Sequence, residues 1–206
     1  LAAEANYFML CRSLGPLLEG DAARLEELEQ LRQGFAPRMG QALQEMWADK
    51  LGLVQFDADV YTSLIRLMHR SQADYTMFFR ALCEFPDDVS ALEGTFDVEL
   101  SEELGQEWRS WLNQWRALIE QRGDVDHDTL SSRMKQSSPR YTWREWLVAP
   151  AYEMAERGDY ARVRELQALF TDPYTEQESE LAAQSDQRRP AQFEGLGGVA
   201  HYSCSS

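Results

Sequence analysis

The sequence is poor in lysine and has no long apolar run. Lys50 and Lys135 are its only lysines, and 20 basic side chains face 35 acidic ones, which gives a formal net charge of −15 over 206 residues. Binding to a nucleic acid duplex depends on lysine and arginine to neutralise phosphates, so this balance argues against a nucleic acid partner. No run approaches the roughly 18 apolar residues that a membrane-spanning helix requires, so we expect no membrane partner.

Cysteine is also scarce. Cys11, Cys83 and Cys204 are odd in number and widely spaced, which argues against a disulfide framework. Cys11 and Cys83 lie in apolar helical segments and are predicted to be small core residues. Cys204 follows a glycine-rich stretch near the last residue, so its thiol is predicted to be exposed and free to react.

No segment shows the alternating pattern of a β-strand, and apolar residues recur at helical spacing almost throughout. The sequence predicts an all-α fold, a bundle of about seven to nine helices without internal repeats. We expect one helical domain over residues 1–183 and an irregular tail over 184–206. Helix-capping residues and prolines predict these helices: 1–10, 22–32 after Asp21, 37–50, one after Asp57 or Asp59, 75–82 after Asp74, one after Ser101, one from Asp128 to about 136, one from Thr142 with a kink or split at Pro150, and 160–170. Residues 93–96 are predicted to form a loop.

Most catalytic motifs are absent from the sequence. It contains neither a phosphate-binding loop ending in Gly-Lys-Ser/Thr nor a Gly-x-Ser-x-Gly elbow. His69-Arg70-Ser71 lacks the aspartate of a kinase catalytic loop. His69 is predicted to be a partly buried packing residue and His127 to lie in a solvated loop, while His201 with Cys204 supplies only half of a zinc site. We therefore expect no catalytic residue, metal or cofactor in this chain.

Three clusters leave alternatives open. Nine acidic residues and no basic one lie between Glu84 and Glu107, either as a solvated face or as a surface for a basic partner. An aromatic helix face forms either core or a ligand platform, and consists of Trp108, Trp111 and Trp115. A basic stretch either pairs with carboxylates of the same chain or binds a phosphate or an acidic surface, and consists of Arg133, Lys135, Arg140 and Arg144.

Several segments, taken in order, resemble one family. They are Met46-Trp-Ala-Asp-Lys50-Leu-Gly-Leu53, Asp74-Tyr-Thr-x-Phe-Phe-Arg80-x-Leu82, Trp111-Leu-x-x-Trp115-x-x-Leu118, Met134 to Pro139 followed by Arg144, Ala155-x-x-Gly158-Asp159-Tyr160, Asp172-Pro173-Tyr174 and the terminal Ser203-Cys204-Ser205-Ser206. This set is similar to selenoprotein O, called YdiU in bacteria, from about Phe35 to Ser206. It departs at Ser138 and Glu145, where the family pattern has Asn.

The resemblance implies that the whole protein uses ATP and Mg²⁺ to transfer AMP to Ser, Thr or Tyr hydroxyls of other proteins. The family's ATP loop, phosphate-binding lysine and metal-binding residues belong to a kinase-like core, and none has a counterpart in this sequence. The chain is therefore expected to be the helical C-terminal part, with its own kinase-like core as partner and an apolar patch where that core docks. Its first residue, Leu1, opens inside a helical pattern and fits this expectation.

The resemblance also assigns a role to Cys204. The family's terminal Cys-Ser-Ser carries selenocysteine in some animals, and in bacterial members its cysteine can form a disulfide with the activation loop of the core. Cys204 is thus the expected redox and regulatory residue. A cytoplasmic location is expected for a bacterial-type protein and a mitochondrial one for eukaryotic relatives. The alternative hypothesis is a free-standing helical module that binds a protein partner through its Trp-rich or acidic face.

Overall fold

A computed structural model describes residues 2–121, 123 and 126–190. These residues form nine α-helices and two 3-10 helices, with no β-strand among them. The all-α prediction is therefore confirmed. The α-helices are α1 (Ala2–Leu14), α2 (Ala22–Lys50), α3 (Ala58–Arg70), α4 (Tyr75–Leu82), α5 (Glu102–Glu120), α6 (His127–Gln136), α7 (Glu145–Glu156), α8 (Ala161–Thr171) and α9 (Glu180–Ser185), and the 3-10 helices are Gly15–Leu18 and Val89–Thr95.

The chain divides into two compact units, residues 1–48 and 49–206. The prediction of one helical domain over residues 1–183 stays a prediction. The division falls within α2, where the helix continues, so no glycine or loop marks it in the sequence. The predicted tail from 184 begins inside α9, and its residues 191–206 lie outside the described part of the chain.

Aromatic contacts hold the first unit together. The rings of Tyr7 in α1 and Phe35 in α2 stack with their centroids 4.4 Å apart. The guanidinium of Arg32 lies 5.5 Å from the centre of the Phe8 ring. Cys11 is buried, as predicted. Since few other side chains of this unit are buried, these contacts fix α1 against the first half of α2.

The core of the second unit is built around α5. Trp108, Trp111 and Trp115 are at most 2% exposed. Trp111 Nε1 donates to the carbonyl of Val60 at 3.0 Å, and Trp115 Nε1 donates to that of Leu51 at 2.8 Å. The prediction that this aromatic face forms core is confirmed, and these residues do not form a ligand platform.

Helix starts that depend on a side-chain cap were predicted well. Asp57 accepts from the N–H of Val60 at 2.8 Å, and Asp74 accepts from that of Met77 at 2.9 Å. Ser101 caps α5 in the same way. Each of these side chains satisfies a backbone donor that the first helical turn leaves unpaired.

Two predicted helix starts were wrong. The side chain that caps α6 belongs to Asp126, while Asp128 lies in the first turn. Both aspartates suit a helix start, because a carboxylate in the first turn is also favoured by the helix dipole. The start of α7 was placed at Thr142, but the helix begins at Glu145 without a side-chain cap.

Both internal prolines lie within continuous helices, so the predicted break before Pro37 and a split at Pro150 are wrong, while a kink at Pro150 stays a prediction. Pro37 lies inside α2, which was predicted as two helices, and Pro150 lies inside α7 without splitting it. A proline removes one backbone hydrogen bond and crowds the carbonyl four residues earlier. In both helices the flanking turns continue on either side, so this local loss does not end them. The predicted loop over residues 93–96 is also largely helical, as part of Val89–Thr95.

A second, smaller core joins the last three helices. Its buried members are Tyr141, Trp146, Leu147, Ala151, Leu166, Leu169, Leu181 and Ala182. The hydroxyl of Tyr141 accepts from the N–H of Gln177 at 2.9 Å, which fastens the segment before α9 to this core. None of the helices in the described ranges combines the length and apolarity needed to cross a bilayer.

Candidate functional site

A buried cationic cluster forms where α2, α4 and the loop after α6 meet. The α2 helix ends at Lys50, which is 3% exposed. Its Nζ donates to the carbonyl of Ser137 at 2.9 Å and to Ser138 Oγ at 3.3 Å. The same ammonium lies 4.5 Å from the centre of the Phe79 ring, so a π face supplies part of the solvation that water would otherwise give.

Gly52 turns the chain two residues after Lys50. Its φ is +68°, in the left-handed region that favours glycine. A Cβ at this position would lie 2.8 Å from Met134 Sδ. The turn therefore requires glycine for its backbone and for the close approach of α6, which brings the Ser137-Ser138 loop over Lys50.

Burial changes the chemistry of Lys50. It lowers the pKa from 10.5 to about 8, because a charged ammonium is poorly solvated there. A negative charge on Cys83 would favour the charged form of Lys50, but the effect of burial is larger. Burial also raises the pKa of Cys83, whose Sγ lies 3.0 Å from the carbonyl of Phe79. Both groups thus favour their neutral forms.

Arg80 of α4 joins the same loop from the other side. The side chain is 9% exposed, and its Nη1 donates to the carbonyls of Ser138 and Tyr174 at 3.2 and 3.3 Å. Its Nη2 lies 3.7 Å from the carboxylate of Glu176. Ser138, which is fully buried, therefore receives a hydrogen bond from each of two cationic side chains.

Asp74 and Arg144 form a second, two-point contact nearby. Arg144 donates to the Asp74 carboxylate at 2.5 and 3.0 Å, with both side chains less than 15% exposed. Burial alone would raise the pKa of Asp74. The hydrogen bonds from Arg144 and from the Met77 N–H outweigh it and hold this pKa below its ordinary value. Asp74 thus caps α4 and fixes the segment before α7.

The rest of the basic stretch also pairs within the chain. Arg133 lies 3.2 Å from Asp49, and Lys135 lies 2.6 Å from Glu84. Arg140 bonds to both Glu176 and Asp186. These contacts favour intramolecular pairing over an anion site. Four of the nine acids between residues 84 and 107 also face basic partners, namely Glu84, Asp87, Asp97 and Glu107.

The histidine predictions were wrong in detail. His69 is exposed rather than partly buried. His127 begins α6 instead of lying in a loop, and its ring stacks on that of Phe85 at 4.7 Å. Over the described residues, no three His, Cys, Asp or Glu side chains come together as a metal site would require. His201 and Cys204 lie outside those residues.

An apolar groove between α7 and α8 is the feature that sequence reasoning missed. It has a volume of about 390 Å³ and is lined by Trp143, Val148, Ala151, Tyr152, Val163, Leu166, Gln167, Phe170 and Thr171. Trp143 is 71% exposed and stacks on Phe170 with centroids 5.4 Å apart. The recurrence of residues 163, 166, 167, 170 and 171 along α8 was the available signal, but it matches an ordinary buried face equally well.

Known proteins resemble this chain over most of its length. A family model described as protein adenylyltransferase SelO matches residues 2–171. A protein nucleotidyltransferase YdiU from Azoarcus sp. (strain BH72) is 34% identical over 99% of this chain and 39% of its own length. Similarly named proteins from Stutzerimonas stutzeri and Vibrio parahaemolyticus are 32% and 29% identical over 85% and 84% of the chain, and 35% of their own lengths.

These three relatives are all named protein nucleotidyltransferases. The chain belongs to the SelO family, as its motifs predicted. It spans well under half the length of the curated relatives it matches. The motif residues Lys50, Asp74, Arg80 and Arg144, far apart in sequence, are all brought into the two contacts described above.

Proposed function

We propose that this chain is the helical C-terminal part of a protein adenylyltransferase and that it supports a kinase-like catalytic part. The complete protein would use ATP and Mg²⁺ to transfer AMP to Ser, Thr or Tyr hydroxyls of target proteins. This chain would bind no cofactor and hold no catalytic residue. Its coverage of only 35–39% of the YdiU relatives leaves room for such a catalytic part.

The observation that carries this proposal is the use of the family's motif residues. Lys50 and Arg80 direct their cations to the backbone and side chain of one buried loop, and Asp74 and Arg144 bond to each other. A residue that binds nucleotide or metal must present its polar atoms to a cleft. These four side chains instead bond to helix ends and loops of the same chain, as expected in a domain with a supporting role.

The first unit offers a surface for the catalytic part. Five large apolar side chains within ten residues are exposed, namely Phe8, Met9, Leu10, Leu14 and Leu17, and Leu17 is 79% exposed. Large apolar side chains exposed in such number within a short segment are typical of an interaction site. We infer that the catalytic part covers this surface, which would then be the docking patch expected for such a domain.

AMP transfer tests the proposal directly. The chain alone, incubated with Mg²⁺, an acceptor protein and ATP labelled on its α-phosphate, should incorporate no label, whereas the complete gene product should label the acceptor. In the complete protein, L17E should lower the rate several-fold by disturbing docking. V54E, at a 74% exposed position of the second unit, is the matched control. Labelling by the chain alone, or equal effects of the two variants, would contradict the proposal.

Cys204 is the proposed redox residue, and the cytoplasm is the proposed location. Cys11 and Cys83 are buried, which protects thiols from reagents. A thiol reagent added to the native protein should therefore modify Cys204 first, and C204S should abolish this fast phase. In the complete protein, an oxidant should change the AMP-transfer rate of wild type but not of C204S. An identical response of both would remove the redox assignment.

A further inference from the structure

The α7–α8 groove is uncharged, although the chain has a net charge of −15. Its walls are three aromatic rings and several aliphatic side chains, and Gln167 and Thr171 are its polar lining residues. An apolar groove of this size fits aromatic or branched aliphatic side chains, which lose water favourably on entry. Charged groups would enter it at a cost.

The described chain ends close to this groove. Arg189 Nη2 lies 3.7 Å from the carboxylate of Glu145. Glu145 is the first residue of α7 and follows Trp143 by two positions. The ion pair therefore places the guanidinium of Arg189 at the first residue of α7, two positions after the groove residue Trp143, and 16 residues of the sequence follow Pro190.

Those 16 residues carry a regular apolar pattern. Phe193, Leu196, Val199 and Tyr202 recur every third position, and three of the four residues that separate Phe193, Leu196 and Val199 are glycine. The four residues from Arg189 to Phe193 span up to about 14 Å, enough to enter a groove that begins at the neighbouring helix end. The groove extends for about 12 Å along α8 from Val163 to Thr171, enough for two side chains three residues apart.

We propose that the α7–α8 groove binds the segment from Phe193 to Val199 of the same chain, with Phe193 and Leu196 as its anchors. Three observations agree on this occupant: the groove is apolar, the described chain reaches its end through Arg189, and the following sequence supplies apolar side chains at once. The proposal does not depend on the AMP-transfer function. A second copy of the chain, or another part of a longer protein, are the competing occupants.

The test measures the solvent exposure of Trp143, because this residue lines the groove. In the 206-residue chain, the tryptophan fluorescence of F193A/L196A should be more red-shifted and more readily quenched by acrylamide than that of the wild type. Q192A/E194A changes the polar neighbours in the same segment and is the matched control, which should behave as wild type. A chain ending at Pro190 should reproduce F193A/L196A, and far-UV circular dichroism should show that all variants keep their helices.

Two further comparisons make the result specific. When both proteins also carry W143F, wild type and F193A/L196A should no longer differ in emission wavelength or in acrylamide quenching. The reason is that the other tryptophans of the second unit are at most 8% exposed. The protection of Trp143 from acrylamide should also be independent of protein concentration. Equal quenching of wild type and F193A/L196A would overturn the proposal, and so would protection that vanishes on dilution, which would indicate a second copy.

Discussion

Replacing Lys50 with methionine tests whether burial controls the charge of this lysine. Methionine keeps a similar length while removing the ammonium and its hydrogen bonds to Ser137 and Ser138. The pKa falls from 10.5 in an exposed lysine to about 8 in the fold. Since a tenfold change in proton affinity is about 1.4 kcal/mol, the folded state disfavours the charged lysine by about 3 kcal/mol.

The sign follows from proton binding. Between pH 8 and 10.5 the unfolded chain binds more protons at Lys50 than the folded one. The free energy of unfolding should therefore rise with pH, and this contribution should be lost as the pH falls through 8. From pH 7 to pH 9, wild type should gain about 1.4 kcal/mol relative to K50M.

Urea unfolding of both proteins at several values between pH 7 and pH 9 measures this difference. Cys83, whose raised pKa acts in the opposite direction at high pH, interacts electrostatically with Lys50, so both proteins should carry C83A, which removes its titration from the comparison. K135M removes the other lysine, which pairs with Glu84 at 31% side-chain exposure, and controls for the loss of one positive charge. A flat difference, or one that favours K50M as pH rises, would refute the reasoning.

Two further changes should lower stability for separate reasons. G52A places a side chain at a positive φ and 2.8 Å from Met134 Sδ, and should cost about 1–3 kcal/mol in thermal or urea unfolding, whereas G94A, where a Cβ meets nothing within 4 Å, should cost less. D74A removes a helix cap and leaves Arg144 without its carboxylate, and should cost about 3–5 kcal/mol. D74N keeps a capping oxygen and should cost less. Because the pKa of Asp74 is lowered, its contribution should be lost in wild type as the pH falls below 3.8, but not in D74N.

The sequence predicted those parts of the fold that depend on neighbouring residues. Asp74 and Ser101 were identified as caps, and the cap of α3 was narrowed to Asp57 or Asp59, because a cap bonds within three positions along the chain. Pro37 misled the same reasoning, since the cost of one lost hydrogen bond is local, whereas the continuity of α2 depends on turns at both sides of it.

The contacts of the site depend on packing between distant segments. Lys50 and Ser138 lie 88 positions apart, and no motif or periodicity in the sequence indicates that they are in contact. The family resemblance pointed to both residues but not to their contact. The groove was missed for a related reason, because Trp143 precedes α7 and its exposure is decided by how α7 and α8 pack.

The hydrogen bonds at Ser138 account for a difference between this chain and its family pattern. Two of the three acceptors that Lys50 and Arg80 use on this loop are backbone carbonyls, which any residue supplies. The third is the Ser138 hydroxyl, and the asparagine of the family pattern would offer a side-chain carbonyl oxygen instead. An exchange of serine for asparagine here conserves the acceptor while changing the residue. What the buried lysine requires at this position is an acceptor oxygen, and either side chain can supply one.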